Sequence, residues 1–402
     1  MAESALNSPL TGYRVLDLAQ PIGLHCTKLI ADMGADVVKV ERPGGDPARW
    51  LPPFKNDLPH PEHSLYFLHY NTNKRGITLD LETRDGQALF LELARRADVV
   101  VETLPPGKMD ELGLGYDTLS KRTPGIVVAS ITPFGQTGPW RDYKATDIAG
   151  FAWSNTMALS GEPGEAPVTS PSELAYSMTS TYAAFGIAIA LYHRMESGEG
   201  QYIDVSMHEC AAQVGGYAIP RYSYDGVKPF RTSRKNVNGD HDLYPTKNGY
   251  VFPLITPVEQ WRRFVDWMGR PAVISDPLFE NLEYRRRNHD LIHPVVAEFC
   301  LQHTKEELYE EGQRRHLGVS PVNTPGEFME SAQAKARGTF LEMEHPVIGK
   351  YRHFGPLPKL SESPGRVTRT APLVGQHNEE IYCGELGLSK HDLIALAAVQ
   401  VI

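Results

Sequence analysis

The stretch YRVLDLAQPIGLHCTKLIADMGADVVKVERPGGD, residues 13–46, decides how the rest of the chain reads. YRVLDL (13–18) and ADVVKVE (35–41) are short apolar runs, each followed by a Gly/Pro loop, AQPIG (19–23) and RPGGD (42–46). Between them LHCTKLIADMG (24–34) reads as a short helix that stops at Gly34, a residue that tolerates the left-handed backbone at helix ends. The order is strand, helix, strand.

The alternation continues downstream. RDGQALFLELARRA (84–97) places Leu89, Leu93 and Ala97 on one helix face. DVVVE (98–102) and GIVVASI (125–131) are continuous apolar runs, as in strands covered on both faces. Strands alternating with helices predict an α/β fold with a parallel sheet and helices on its faces. Ligands of such sheets sit beyond the strand C-termini. Here those ends are AQPIG, RPGGD, TLPPG (103–107) and TPFGQTG (132–138), all rich in Gly or Pro. No GxGxxG or GxxxxGK[ST] fingerprint occurs, so a dinucleotide or P-loop site has little support.

PSELAYSMTSTYAAFGIAIAL (171–191) opens a helix spanning 173–194, with small residues such as Ala183, Ala184, Gly186, Ala188 and Ala190 suited to a tightly packed core. GQYIDVSM (200–207) alternates as a strand, and a helix follows from Met207. Residues 222–242 are polar and loop-like. GYVFPLIT (249–256) and VEQWRRFVDWMG (258–269) start a strand-plus-helix unit, and Thr304 with Glu307 forms a capping box. A smaller domain is expected over 225–325. EHPVIGKYRHFGPLPKL (344–360) resembles a hairpin, and APLVGQHNEEI (371–381) leads into a terminal helix.

The 402 residues carry a formal charge of −9, with 41% hydrophobic and 22% charged residues. That is ordinary for a globular protein and leaves no basic excess for nucleic acid. The first ten residues lack a signal-peptide layout. No uninterrupted apolar run reaches about 18 residues, so no membrane span is expected. The longest candidate, AAFGIAIALYH (183–193), reads as a core helix. Cys26, Cys210, Cys300 and Cys383 form no CxxC pair, which suits a reducing cytoplasm and neither a disulfide framework nor a zinc site. Cys26 reads as a small buried apolar residue rather than a nucleophile. His241 between two aspartates, and His289 with His293 four apart, lack further ligands, so no metal is expected.

GADVVKVERPGGDPAR (34–49), NTNKRGITLDL (71–81), DVVVETLPPG (98–107), GQTGP (135–139), GQYIDVSM (200–207) and APLVGQHNEEI (371–381) occur in one order along nearly the whole chain. In this the sequence resembles the family III coenzyme A transferases, which include formyl-CoA:oxalate, carnitine and benzylsuccinate CoA-transferases and α-methylacyl-CoA racemases. The resemblance implies a large Rossmann-like domain from residues 1–224 and 326–402, a smaller α+β domain over 225–325, and a threaded dimer. It implies no cofactor beyond CoA or acyl-CoA as substrate, with a carboxylic acid as the second substrate. An enzyme carboxylate attacks the acyl-CoA thioester, and the reaction passes through an enzyme-bound anhydride and an enzyme thioester.

The family's nucleophile is an Asp ten residues before the Gly that here is Gly186, which places Tyr176 at that position. A phenol with a pKa of about 10 is a poor nucleophile at neutral pH. Glu173 lies one helical turn earlier, and two readings of it stay open: a catalytic carboxylate, or a charge that complements the helix start. The resemblance implies CoA contacts at Arg42, Leu79, Asp80, Leu81, Thr103, Leu104, Lys144 and Asp147. Two basic CoA contacts of the formyl-CoA transferases are replaced by Glu82 and Glu111, which would repel phosphates. Pro21 stands where transferases often carry a Gln, with Gln20 one place earlier, and Thr146 stands where racemases carry a His. Trp140, Phe151 and Trp153 suit either an apolar pocket or core packing. Three functions therefore remain: a nucleophile-lacking transferase subunit paired with an Asp-bearing paralogue, a homodimeric transferase using Glu173, and a non-catalytic acyl-CoA-binding protein.

Overall fold

β1 (Arg14–Leu18) and β2 (Asp36–Glu41) pair in parallel with Val15 opposite Val37, and α1 (Pro21–Asp32) connects them. This is the βαβ unit expected from residues 13–46. The computed structural model describes residues 8–162, 164–226 and 242–402. They fall into two compact units, one of Met1–Thr156, Thr169–Gly216 and Arg337–Ile402, the other of Met157–Val168 and Tyr217–Ala336.

In the first unit α2 (Leu65–Tyr70) precedes β3 (Arg75–Thr78), and α3 (Arg84–Ala94) leads to β4 (Val99–Glu102). Next come α4 (Lys108–Glu111), α5 (Tyr116–Arg122), β5 (Val127–Thr132), α6 (Asp147–Trp153), α7 (Leu174–Ser197), β6 (Tyr202–Ser206) and α8 (Met207–Ala212). The six strands form one parallel sheet in the order β3-β2-β1-β4-β5-β6. One sheet face carries Val15, Val37, Val99, Val127 and Ile131 against Ile22, Ile30, Ala183 and Ile187 of α1 and α7. The other carries Leu16, Val38, Val100 and Val128 against Phe90, Leu93, Ile381 and Tyr382. Covering both faces explains why the central strands are apolar throughout.

The edge strand β3 was not legible as a strand, because RGIT has no apolar run. Arg75 in it is held by ion pairs with Asp36, Glu380 and Glu385 instead. α7, at 24 residues, is long and apolar enough by length and composition to cross a membrane, which the count of uninterrupted apolar residues did not show. Its Ala183, Ile187, Ala190 and Leu191 are buried in the sheet-face core. The tightly packed character expected of this helix holds only for that stripe. Ala188 is exposed, and so are Phe185, Ile189, Tyr192 and Met195.

In the second unit α9 (Ala218–Asp225) occupies the start of the stretch read as loop, ending at Gly226 with φ +65°. The rest of that stretch up to residue 241, with His241, lies outside the described residues. A three-stranded antiparallel sheet, β7 (Tyr244–Thr246), β8 (Gly249–Leu254) and β9 (Gly318–Pro321), packs with α10 (Val258–Trp267), α11 (Leu282–Arg287), α12 (His289–Leu301) and α13 (Lys305–Arg314). Thr304 and Glu307 make the expected capping box. α14 (Pro325–Glu330) and α15 (Ala332–Ala336) close this unit. Back in the first unit, β10 (Phe340–His345) and β11 (Gly349–Phe354) form a hairpin that starts four residues before the stretch expected and ends at Phe354, and α16 (Lys390–Ala398) is the terminal helix.

Candidate active site

β1 is flanked by β2 on one side and β4 on the other, so the strand order reverses there. A crevice opens at such a point beyond the strand ends. The loops after β1 and β4 are tied across it, the Gln20 amide donating to Thr103 Oγ1 at 2.9 Å. Gly23 permits this approach, since a Cβ there would lie 2.8 Å from Thr103 Cγ2.

A fully buried polar layer fixes the crevice floor. Asp17 accepts from the Ala19 amide at 2.8 Å, from Thr27 Oγ1 at 2.9 Å and from Lys74 Nζ at 2.9 Å. Burial pushes the Asp17 carboxyl up, but Lys74 and Lys39 outweigh it and hold the group below its ordinary value. Lys39 Nζ donates to Ala19 O and pairs with Asp46 at 2.8 Å, joining the loops after β1 and β2. Glu41, the last residue of β2, accepts from the Asp46 amide at 2.8 Å and takes both Nε and Nη2 of Arg49, at 2.6 and 2.8 Å. Arg49 lies 3.8 Å over the Phe67 ring and also bonds Glu62 and Pro372 O. None of these buried partners is visible from local sequence pattern.

Above this floor lies a cavity of about 500 Å³ lined by Arg42, Leu79, Asp80, Leu81, Leu104 and Lys108, among others. Five residues that the resemblance assigned to CoA thus share one wall. Arg42 makes no ion pair among the described residues. Glu82 and Glu111 do not stand as bare repulsive charges: Lys108 lies between them, 3.2 and 3.8 Å from their carboxylates. Gln400 also lines the cavity, and Val401 O accepts from the Asp80 amide at 2.7 Å. Lys108 and Gln400 were missed in the sequence. Lys108 carries a signal, its i,i+3 spacing to Glu111, whereas nothing local marks Gln400.

A second cavity of about 480 Å³ is more apolar. It is lined by Pro21, Ile22, Leu51, Thr103, Pro105, Tyr143, Lys144 and Tyr176, and shares Gln20, Pro47 and Leu104 with the first. The two are halves of one cleft. Lys144 makes no ion pair among the described residues, with Asp147 or any other acid. Phe151 is buried in the protein, while Trp140 and Trp153 lie 4.7 Å apart and half exposed, outside this lining; Tyr143 supplies the aromatic wall.

Asp147, assigned to CoA from the resemblance, has a different visible job. It accepts from the Tyr176 amide at 2.8 Å and from the Ala175 amide, capping the start of α7. The helix-start role considered for Glu173 therefore falls to Asp147. Glu173 occupies the N-cap position but makes no side-chain cap; its Oε2 accepts from Tyr66 OH at 2.8 Å. Burial raises its carboxyl, the Tyr66 hydrogen bond opposes this, and the Asp147 charge adds to it. Burial, then Glu173 and Asp147, also raise the Tyr176 phenol, so it stays protonated at neutral pH. Tyr66 was not singled out in the sequence.

Cys26 is fully buried and burial pushes its thiol up, as for an unreactive core residue. Among the described residues no group of three His, Cys, Asp or Glu is placed to hold a metal. His289 and His293 flank Asp242 at 3.6 and 3.3 Å.

The model of CoA-transferase family III matches residues 10–378. Succinyl-CoA:(R)-benzylsuccinate CoA-transferase subunit BbsE of Thauera aromatica is 33% identical, the match covering 96% of this chain and 97% of that one. Succinyl-CoA–D-citramalate CoA-transferase of Chloroflexus aurantiacus is 32% identical over 98% of each chain. The crystal structure of a CAIB/BAIF family protein from Brucella suis superposes with a TM-score of 0.85 at 27% identity, over 94% of this chain and 99% of the other. With a family match across the chain, relatives of equal length and a shared fold, this chain belongs to CoA-transferase family III.

Proposed function

We propose that this chain binds CoA in the charged cavity with the thioester directed into the apolar one, and serves as the nucleophile-lacking subunit of a CoA-transferase. The observation that carries this reading is Tyr176. It lines the apolar cavity with its phenol held protonated, and the sequence resemblance assigns it the position of the family's nucleophile. An Asp-bearing paralogue supplies the carboxylate. Its oxygen attacks the donor thioester carbonyl, the C–S bond breaks, and CoA thiolate leaves an anhydride. Thiolate then attacks the enzyme-side carbonyl, releasing the donor acid and forming an enzyme thioester. The acceptor carboxylate repeats the sequence in reverse and departs as acyl-CoA, with no net redox change or proton transfer. A cleft closed against water preserves the anhydride.

The name of the Thauera relative includes the word subunit, which favours partnership with a second chain. Phe185, Ile189, Tyr192 and Met195 on α7, all at least half exposed, also suit burial against another chain in a threaded dimer. The four cysteines, all free, suit a cytoplasmic location.

Glu173 supports a second reading, a homodimer that uses its own carboxylate. The group is half-buried, raised by burial, and held by Tyr66 near the cleft. Incubation with succinyl-CoA, hydroxylamine trapping and peptide mapping test the two. The primary reading expects a hydroxamate only on the Asp-bearing partner. A hydroxamate at Glu173 with turnover by this chain alone, abolished by Glu173→Gln, establishes the second. Tight CoA binding without turnover under any pairing points to a binding protein.

A further inference from the structure

Glu102 is the last residue of β4, which neighbours β1 across the point where the sheet order reverses, and it is 3% exposed. Its Oε2 accepts from the Leu104 amide at 2.6 Å, and Ser130 of β5 also bonds to it. Leu104 is one of the few residues that line both halves of the cleft, and Thr103 between them receives the Gln20 amide. The carboxyl's other side faces a polar cavity of about 400 Å³. Facing it there are Asp110 of α4, Tyr116 and Asp117 of α5, Tyr202 of β6 and Arg141, with Asp204 of β6 close by. Arg141 is turned to Asp142 and Lys108 to Glu82 and Glu111, so among the described residues no cation pairs with Glu102.

A buried carboxylate left without a cation is costly. We propose that Glu102 is a positioning residue for CoA: its carboxylate holds the Leu104 backbone and so sets the wall where the two halves of the cleft meet. The proposal rests on the reading of this cleft as the CoA site. Burial pushes the Glu102 carboxyl up to about 7; Ser130 and the Leu104 amide oppose this, and Asp110 and Asp204 add to it. The grip on Leu104 therefore changes near neutral pH. A charged acceptor bonds an amide roughly twice as strongly as a neutral one.

The test is calorimetric titration of the full chain with CoA at pH 8 and pH 6, with Glu102→Gln alongside. CoA's own titration cancels in the ratio of the two dissociation constants. The variant is expected to bind about fivefold more weakly at pH 8, falling towards parity at pH 6, where both side chains are neutral. In Ser130→Ala, which removes a hydrogen bond to the charged form, affinity on acidification is expected to fall at higher pH than in the unmodified chain. A ratio equal at both pH values, or an unmoved profile in Ser130→Ala, overturns the positioning role alone. No CoA binding by the unmodified chain at either pH overturns the CoA reading together with it.

Discussion

Where β1, β2 and β3 end, the cleft is charged and its loops are pinned from below by Asp17, Lys39, Lys74, Glu41 and Arg49. Where α7 begins, the wall is apolar, and its side-chain anchors are Asp147 on the Tyr176 and Ala175 amides and Tyr66 on Glu173. The first region is a buried network in which each group has several partners, so changing one member strands another. The second is a set of separate contacts, where one side chain can be exchanged without exposing a neighbour. Under the proposed function this is why the CoA-holding end keeps its form while a tyrosine stands at the reacting end.

The largest effect expected is Arg49→Ala. It leaves Glu41 buried without its guanidinium, and stability measured by chemical denaturation should fall by about 3–5 kcal/mol. A loss under about 1 kcal/mol would show that the charged end is not a coupled network. Next is Glu102→Gln at pH 8. The ordinary carboxyl value is 4.5 and burial raises this one to about 7, so the folded chain keeps a proton that the unfolded chain releases. Stability therefore falls as pH rises from about 4.5 to 7, and Gln removes that loss, on the order of 3 kcal/mol at pH 8. The variant should melt higher at pH 8 and equally at pH 4 while binding CoA more weakly. A variant that melts lower at pH 8 would show that the hydrogen bonds to the carboxylate outweigh the cost of burying it.

Smaller effects distinguish the two ends directly. Arg42→Ala should weaken CoA and acyl-CoA by the same factor, about 10- to 100-fold, since a hydrogen bond to a charged group contributes about 1.5–3 kcal/mol. A loss confined to acyl-CoA would move Arg42 to the reacting end. Tyr176→Phe should change CoA affinity by less than about twofold, because the contact of this residue with Asp147 is through its backbone amide. A large loss would mean that the phenol itself grips CoA.

The family motifs and the strand-end loops were legible because they are local: apolar runs, helix periodicity and Gly/Pro turns lie in consecutive residues. β3 was not, because its place depends on Arg75 meeting Glu380 and Glu385 some 305 and 310 residues away. The acids at Glu82 and Glu111 read as repulsive only because sequence alone did not bring Lys108 between them. Glu173 was read as a helix-start charge or a nucleophile, and its partner Tyr66 stands 107 residues upstream.

The sequence by itself determined the alternating strands and helices, the Gly/Pro loops at the strand ends, and the capping box at Thr304. These follow from side-chain periodicity and backbone preference, which act within a few residues. Only the tertiary structure decided that Asp147 and not Glu173 caps α7, that Arg49 is locked between Glu41 and Glu62, and that Glu102 holds Leu104 from beneath a polar cavity. Those assignments depend on burial and on partners from other elements, because desolvation and hydrogen-bond geometry act in space and leave no trace in the order of residues.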